Sequence, residues 1–333
     1  MADDVATAEL AVTIPTDDIV LPFRTVRSGV VGRLVRLGPA IDAVLAPHDM
    51  PDPISQALGE AVALTAMLGS ALKIDGRLTL QTKSDGLLDF LVVSFEVPGR
   101  VRAYARYDKT RVGNGQGLAA SELLGSGHLA ITIDPGEDME RYQGIVELTG
   151  EGIADAALTY FSQSEQIPTF LRLAVARHYT AGENGQPGRW QWRAGGLMIQ
   201  NLAREGGTDD DAAIADDNEG IFFDDAEYDG DDIENDDWER TRILAATVED
   251  HELLDPTLPP DRLLYRLFHE EGVRVFPAAE IEAHCRCSRE GVAAFLTSFG
   301  ASELADMREP DGSIGVTCEF CTTTYRFSPD EFT

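Results

Sequence analysis

The chain carries four cysteines, all in its C-terminal stretch and in two close pairs: Cys285-Arg286-Cys287 and, thirty residues on, Cys318-Glu319-Phe320-Cys321. Two such pairs folded together supply four thiolates, the donor set that zinc takes in tetrahedral geometry. A lone Cys-x-x-Cys would carry little weight, because thioredoxin-like redox motifs share it. Two pairs, with no cysteine elsewhere in 333 residues, predict a four-cysteine metal site.

Residues 281–333 would form a domain too small to rest on a hydrophobic core alone. Its apolar inventory is thin: Phe295, Leu296, Phe299, Leu304, Ile314, Val316, Phe320, Tyr325 and Phe327. A structural zinc contributes on the order of 10–16 kcal/mol in small metallo-domains, so loss of the metal is expected to unfold this one. Ser288 reads as the N-cap of a helix over Arg289–Phe299, which places Cys285 and Cys287 near a positive helix end. Arg286 and Arg289 add positive charge, and together these features are expected to favour thiolate. Cys318 and Cys321 fall in a hairpin turn between Ile314–Thr317 and Thr322–Phe327. Within each pair, an oxidised sulfur has a neighbour that can resolve it into a disulfide, so a chelating geometry can also release its metal. Spacing leaves two readings open, an inert zinc ribbon and a redox-sensitive one.

A chain of this length suggests two domains, with room for a linker. The net charge of −31 argues against nucleic acid, whose phosphates reward a basic face. More than half of that charge lies between Glu205 and Glu239, where 17 acidic residues occur with no Lys or Arg. The Asp209–Asp237 tract is expected to be disordered in isolation, since it cannot bury enough surface to offset its ordering entropy. It reads first as a solvated loop and second as a cation-binding tract. The longest apolar run, around Ala61–Leu72, is too short to span a bilayer. Met1-Ala-Asp-Asp-Val lacks the pattern of a secretory signal. A cytosolic location is therefore expected, and clustered cysteines there bind metal or sense redox state more often than they form permanent bridges.

Residues 1–200 read as an α+β core domain, an antiparallel sheet with helices packed on one face. Leu21–Leu37 reads as strand-turn-strand about Gly29 and Gly32. Pro51–Lys73 has helical spacing with a broad apolar face. Alternating runs at Arg77–Thr82, Leu87–Val97, Val101–Tyr107, His128–Ile133 and Tyr142–Leu148 predict a meander. A helix from Ala154 and two strands, Phe170–His178 and Trp190–Ile199, complete the unit. Residues 201–280 hold the acidic tract and a helical linker, with apolar faces on Trp238–Leu254 and Pro259–Glu271 that need covering, for which the N-terminal sheet is the candidate. A short strand, Val273–Phe276, precedes the cysteine domain.

The cysteine spacing, with Cys285-Arg-Cys-Ser-Arg-Glu290 and Val316-Thr-Cys-Glu-Phe-Cys321, resembles the heat-shock protein 33 family of redox-regulated chaperones. The resemblance extends to Glu140-Arg-Tyr-Gln-Gly-Ile-Val146, Ser164-Glu-Gln-Ile-Pro-Thr169, Gly195-Gly-Leu-Met-Ile-Gln200 and Arg266-Leu-Phe-His-Glu-Glu271, and so spans most of the chain. It implies a cytoplasmic, ATP-independent holdase rather than an enzyme, inactive while reduced and bound to one zinc through Cys285, Cys287, Cys318 and Cys321. Oxidation would form disulfides Cys285–Cys287 and Cys318–Cys321, release zinc and unfold the linker. The apolar surface so uncovered would bind unfolding client proteins, and the active form would be a homodimer, with no nucleic-acid or membrane partner. The acidic tract looks like an insertion relative to the family, and keeping the activated state soluble is one role for it.

Two rival classes remain at this stage. A zinc-ribbon adaptor is disfavoured for nucleic acid by the charge. A thiol–disulfide oxidoreductase using Cys318-Glu-Phe-Cys321 would leave the other pair without a role, and no thioredoxin-like βαβ pattern surrounds the motif. Gly113-Asn-Gly-Gln-Gly117 lacks the Lys-Ser/Thr of a phosphate loop and reads as a turn. Ser126 reads as a turn residue, and His284 as peripheral to the metal.

Overall fold

The computed structural model describes residues 14–113, 118, 120–136, 140–181, 187–202 and 232–332. Most of the acidic tract, through residue 231, lies outside the described residues, as do 114–117 of the glycine-rich stretch.

In chain order, the first elements are β1 (Ile19–Thr25), β2 (Val31–Leu37), α1 (Pro39–Leu45) and α2 (Asp52–Gly69). The region expected as a meander supplies β3 (Arg77–Ser84), β4 (Phe90–Glu96), β5 (Arg100–Arg106), the short helices α3 (Lys109–Val112) and α4 (Ala120–Leu124), β6 (Gly127–Asp134) and β7 (Tyr142–Leu148). Then come α5 (Ile153–Tyr160) and the long strands β8 (Thr169–Thr180) and β9 (Arg189–Gln200).

The α+β class expected from the sequence holds, but these strands form two sheets rather than one. The first runs β1-β2-β9-β8, antiparallel, with Leu21 opposite Leu34 and Leu34 opposite Leu197. The second runs β5-β4-β3-β6-β7. Helix α2 lies between them, and Ile54, Leu58, Ala61, Val62, Leu64 and Met67 are all fully buried. A helix apolar on one face leaves its other side to water, whereas one apolar all round must be enclosed. Ala57, Gly59, Ala63 and Ala66 give α2 a second buried side, which is why a sheet covers each flank. The turn between β1 and β2 contains Gly29, with φ 69°; Gly32 lies within β2, opposite Phe23.

The outer face of the first sheet is covered by α6 (Asp232–Ala246), α7 (Asp250–Leu254) and α8 (Pro260–Phe268). Trp238, Ala245, Val248, Leu253, Leu263, Leu264, Leu267 and Phe268 form one core with Ile19, Leu21, Phe23, Leu34, Leu197 and Ile199. Phe23 and Phe268 stack with ring centres 5.4 Å apart. The linker helices thus place their apolar faces where the sequence required a cover. The segment Trp238–Leu254 is two helices, not one. The backbone tightens at Thr247 and Val248, and a reciprocal cap between Glu249 and Glu252 restarts it.

Polar contacts fix the register of α6. The Thr241 hydroxyl donates to Ser28 Oγ at 2.9 Å, and Arg240 reaches Glu271, which is only 1% exposed, at 2.6 Å.

After α8 the chain runs along the rims of both sheets. β10 (Val273–Val275) and β11 (Ala279–Glu280) pair with β1, and β12 (Glu282–Ala283) pairs in parallel with β5. Gly99 permits the crossing, because a Cβ there would lie 1.9 Å from the Glu280 carbonyl oxygen. The remaining elements are α9 (Arg289–Leu296), α10 (Ala301–Asp306), β13 (Ile314–Thr317) and β14 (Thr324–Phe327). They share a small core of their own, with Leu296, Leu304, Ile314 and Phe327 buried.

Candidate metal centre

Two backbone devices bring the cysteines together. β12 anchors the chain to β5, and the amide of His284 donates to the Val101 carbonyl at 2.8 Å, so Cys285 leaves from a fixed rim. Ser288 then caps α9, its hydroxyl accepting from the Gly291 amide at 3.0 Å, as the sequence predicts. The other pair sits where β13 turns into β14. The Cys318 amide donates to the Thr323 carbonyl and the Thr322 amide to the Cys318 carbonyl, at 2.9 and 2.8 Å, with Thr322 in the left-handed region at φ 58°. Such a closed turn points two side chains to one side.

The four sulfurs lie within 4.8 Å of one another. Cys285 Sγ is 3.7 Å from Cys318 Sγ, and Cys287 Sγ is 3.3 Å from Cys321 Sγ. An ion with tetrahedral bonds of about 2.3 Å needs sulfurs roughly 3.8 Å apart, so the donor set fits a metal ion of that kind. His284 is exposed and stands outside the cluster.

The expected electrostatic help is not delivered by the two arginines. Arg286 pairs with Glu96 at 2.7 Å. Arg289 pairs with Glu331 at 3.0 Å and lies 4.3 Å from the Phe327 ring centre. With those charges engaged elsewhere, burial dominates: it pushes the Cys285 thiol up and the Cys287 thiol up to about 12, although the Tyr325 hydroxyl donates to Cys287 Sγ at 3.2 Å. Burial also works upward on Cys321, but hydrogen bonds from Thr323 and the neighbouring thiols bring it down to about 7.

How the site is docked is visible only in the fold. Phe320, between the second pair of cysteines, sits under Arg102, with its carbonyl 3.1 Å from His48 Nε2, and Tyr104 donates to Glu319 at 3.2 Å. Arg102 and Tyr104 read only as alternating strand residues.

This arrangement has relatives. A family model described as "Hsp33 protein" matches residues 18–328. The chain belongs to the Hsp33 family. A 33 kDa chaperonin of Caulobacter vibrioides is 40% identical over 319 residues, covering 94% of this chain and 95% of that protein. A 33 kDa chaperonin of Azotobacter vinelandii is 38% identical over 297 residues, covering 89% and 86%. The crystal structure of the 33 kDa chaperonin of Thermotoga maritima superposes with a TM-score of 0.68 at 22% identity, over 95% of this chain and 96% of that one. Hsp33 membership accounts for the span of the motifs, from Glu140 to Cys321. Among the described residues no helix is long and apolar enough to cross a membrane.

Proposed function

We propose that this protein is a redox-regulated, ATP-independent chaperone of the holdase type, acting in the cytoplasm and without enzymatic turnover. In the reduced state Cys285, Cys287, Cys318 and Cys321 would hold one zinc ion, which stabilises the C-terminal domain, residues 281–333. That domain follows an α+β core over 1–200 and a linker over 201–280. Peroxide would take two electrons from each pair of thiolates and, with two protons, leave as two water molecules. The products are disulfides Cys285–Cys287 and Cys318–Cys321, with no thiolate left to bind the ion.

The observation that carries this reading is the placement of the cysteine cluster. It is tied by β12 and Phe320 to the second sheet, and by β10 and β11 to the strand on which the linker helices lie. Loss of the metal would free the module and loosen its rim strands. The cover formed by α6–α8 would follow, uncovering the apolar face of the first sheet for unfolding clients. A dimer of the activated form is part of the proposal. The relatives' name, chaperonin, supports a client-binding role.

The test follows zinc release and suppression of a client's thermal aggregation in reduced and peroxide-treated protein at mildly elevated temperature. Stoichiometric zinc release with oxidant-dependent suppression supports the proposal, and zinc retention without suppression sinks it. Peptide mapping assigns the bridges: the sulfurs of Cys285 and Cys318 are also close, so cross-pair disulfides would correct the pairing while leaving the switch in place.

A further inference from the structure

The C-terminal end of helix α7 is held through its backbone carbonyls. Arg36 of β2 is fully buried, and among the described residues its three hydrogen bonds end on backbone carbonyls. Nε donates to Leu253 at 3.2 Å, Nη2 to Glu252 at 2.9 Å, and Nη1 to Leu258. On the neighbouring strand β9, Arg193 donates from Nε to the Leu254 carbonyl at 2.7 Å and is itself fixed by Asp17. Two guanidinium groups thus satisfy the carbonyls that the end of a helix leaves open. At the other end of α7, Arg172 of β8 pairs with Asp250 at 2.8 Å, an exposed contact of small worth.

Between these arginines the sheet has a cleared spot. A Cβ on Gly195 would lie 2.5 Å from the Leu253 carbonyl oxygen and 3.0 Å from Leu253 Cβ, so the backbone of α7 rests directly on the strand. Leu253 is the fully buried apolar anchor. This face carries Arg36, Arg172 and Arg193 in a chain where acidic residues outnumber basic ones 58 to 27.

We propose that the face of the first sheet around Gly195 is a peptide-binding site that reads backbone carbonyls, and that α7 occupies it in cis. Its ligand in trans is a client segment with a leucine-like anchor and an acidic residue on its N-terminal side. This rests on the chaperone reading above and names the chemistry of its client site. Every polypeptide carries carbonyls, so donors aimed at them recognise a chain without reading its sequence. The apolar anchor and the arginines then favour unfolded segments of acidic, apolar character. A guanidinium left without its carbonyls on an apolar face is costly unless water or another peptide replaces them. The site therefore selects a new occupant when α7 leaves.

The probe is a fluorescein-labelled peptide with the sequence of Glu249–Leu258, titrated against the full-length protein in reduced zinc-loaded and peroxide-activated forms. The expected result is binding to the activated form only, with competition against a model client. Arg36→Met removes all three of these hydrogen bonds and should weaken binding at least about tenfold, the worth of one charge-assisted hydrogen bond alone. A peptide carrying Leu253→Ser should also bind at least about tenfold more weakly, a loss that involves no change to the protein's folding. Equal binding to Arg36→Met and the parent overturns the site. So does an activated sample that suppresses aggregation yet ignores the peptide. A sample that binds the peptide without suppressing aggregation supports the site and sinks the chaperone reading, and one that does neither sinks both.

Discussion

The Arg102 guanidinium lies 4.4 Å from the centre of the Phe320 ring, so a strand of the second sheet grips a residue lying between two of the site's cysteines. Tyr104 donates to the neighbouring Glu319, and His48 Nε2 lies against the Phe320 carbonyl. The sheet therefore touches the cysteine module through the segment that a Cys318–Cys321 bridge would reshape. An exposed cation–π contact is worth about 0.5–1 kcal/mol. A double-mutant cycle of Arg102→Ala and Phe320→Ala, read as hydrogen-exchange stability across 281–332, should return a coupling of that size. Additive effects would show that the contact is passive.

Metal removal should act first on the module. The module buries only Leu296, Leu304, Ile314 and Phe327 as its own core, too little for a unit of this size. A strong chelator under reducing conditions should open 289–332 to protease first and the rim strands and α6–α8 after it, while the central strands β2–β9 remain resistant. A module that stays protected after the ion is gone would show that its core suffices.

Glu60 gives stability a pH dependence. It lies on α2 between the sheets, where burial, with smaller contributions from Asp155 and Asp250, pushes its carboxyl up to about 7. Its folded value exceeds the unfolded one, so the folded form holds the proton more tightly. Its contribution is complete below about pH 4.5 and is lost as pH rises towards 7. From urea melts at pH 5 and pH 8, the stability difference assigned to this group should be up to about 3 kcal/mol in favour of pH 5. Glu60→Gln should remove that part of the slope, and an unchanged slope would place it elsewhere.

The Arg240–Glu271 pair fixes α6 from outside the apolar contact. The hydrogen bond from Arg240 holds the Glu271 carboxyl below the ordinary carboxylate range, with the Glu271 side chain almost wholly enclosed. Arg240→Met leaves the enclosed Glu271 carboxylate without this partner and should destabilise the fold, though less than breaking a fully buried pair because Arg240 itself is half-exposed. The loss should appear as faster amide exchange in α6, with the second sheet unaffected.

Much of this was legible in the chain. Cysteine spacing located the site, because four soft donors in two close pairs have few other uses. Periodicity located α2, β8, β9 and the strands β3–β7, but not their order: a meander would pair β6 with β5, whereas β6 returns to β3. The two-sheet arrangement was harder to read, because alanine and glycine on the second side of α2 score weakly as apolar yet are what lets a sheet approach. Arg36 and Arg102 were unreadable as well. An arginine in an alternating strand normally faces water, and only the tertiary fold shows that one caps a helix and the other covers a phenylalanine. The expected role of two arginines was misread for a related reason: Arg286 and Arg289 stand beside the cysteines in sequence, but their charges are directed to Glu96 and Glu331.

The path of the chain just before Cys285 has a mechanical consequence. β12, β11 and β10 are consecutive rim segments, each attached along one side to a strand of the body. Read backwards from the cysteines, they form a seam that ends at α8. A seam of this kind parts one hydrogen-bonded pair at a time, in the manner of a peel rather than a shear. A slackening that begins at the sulfurs would then run in a fixed direction, reaching β12 first, then β11 and β10, and the linker helices last.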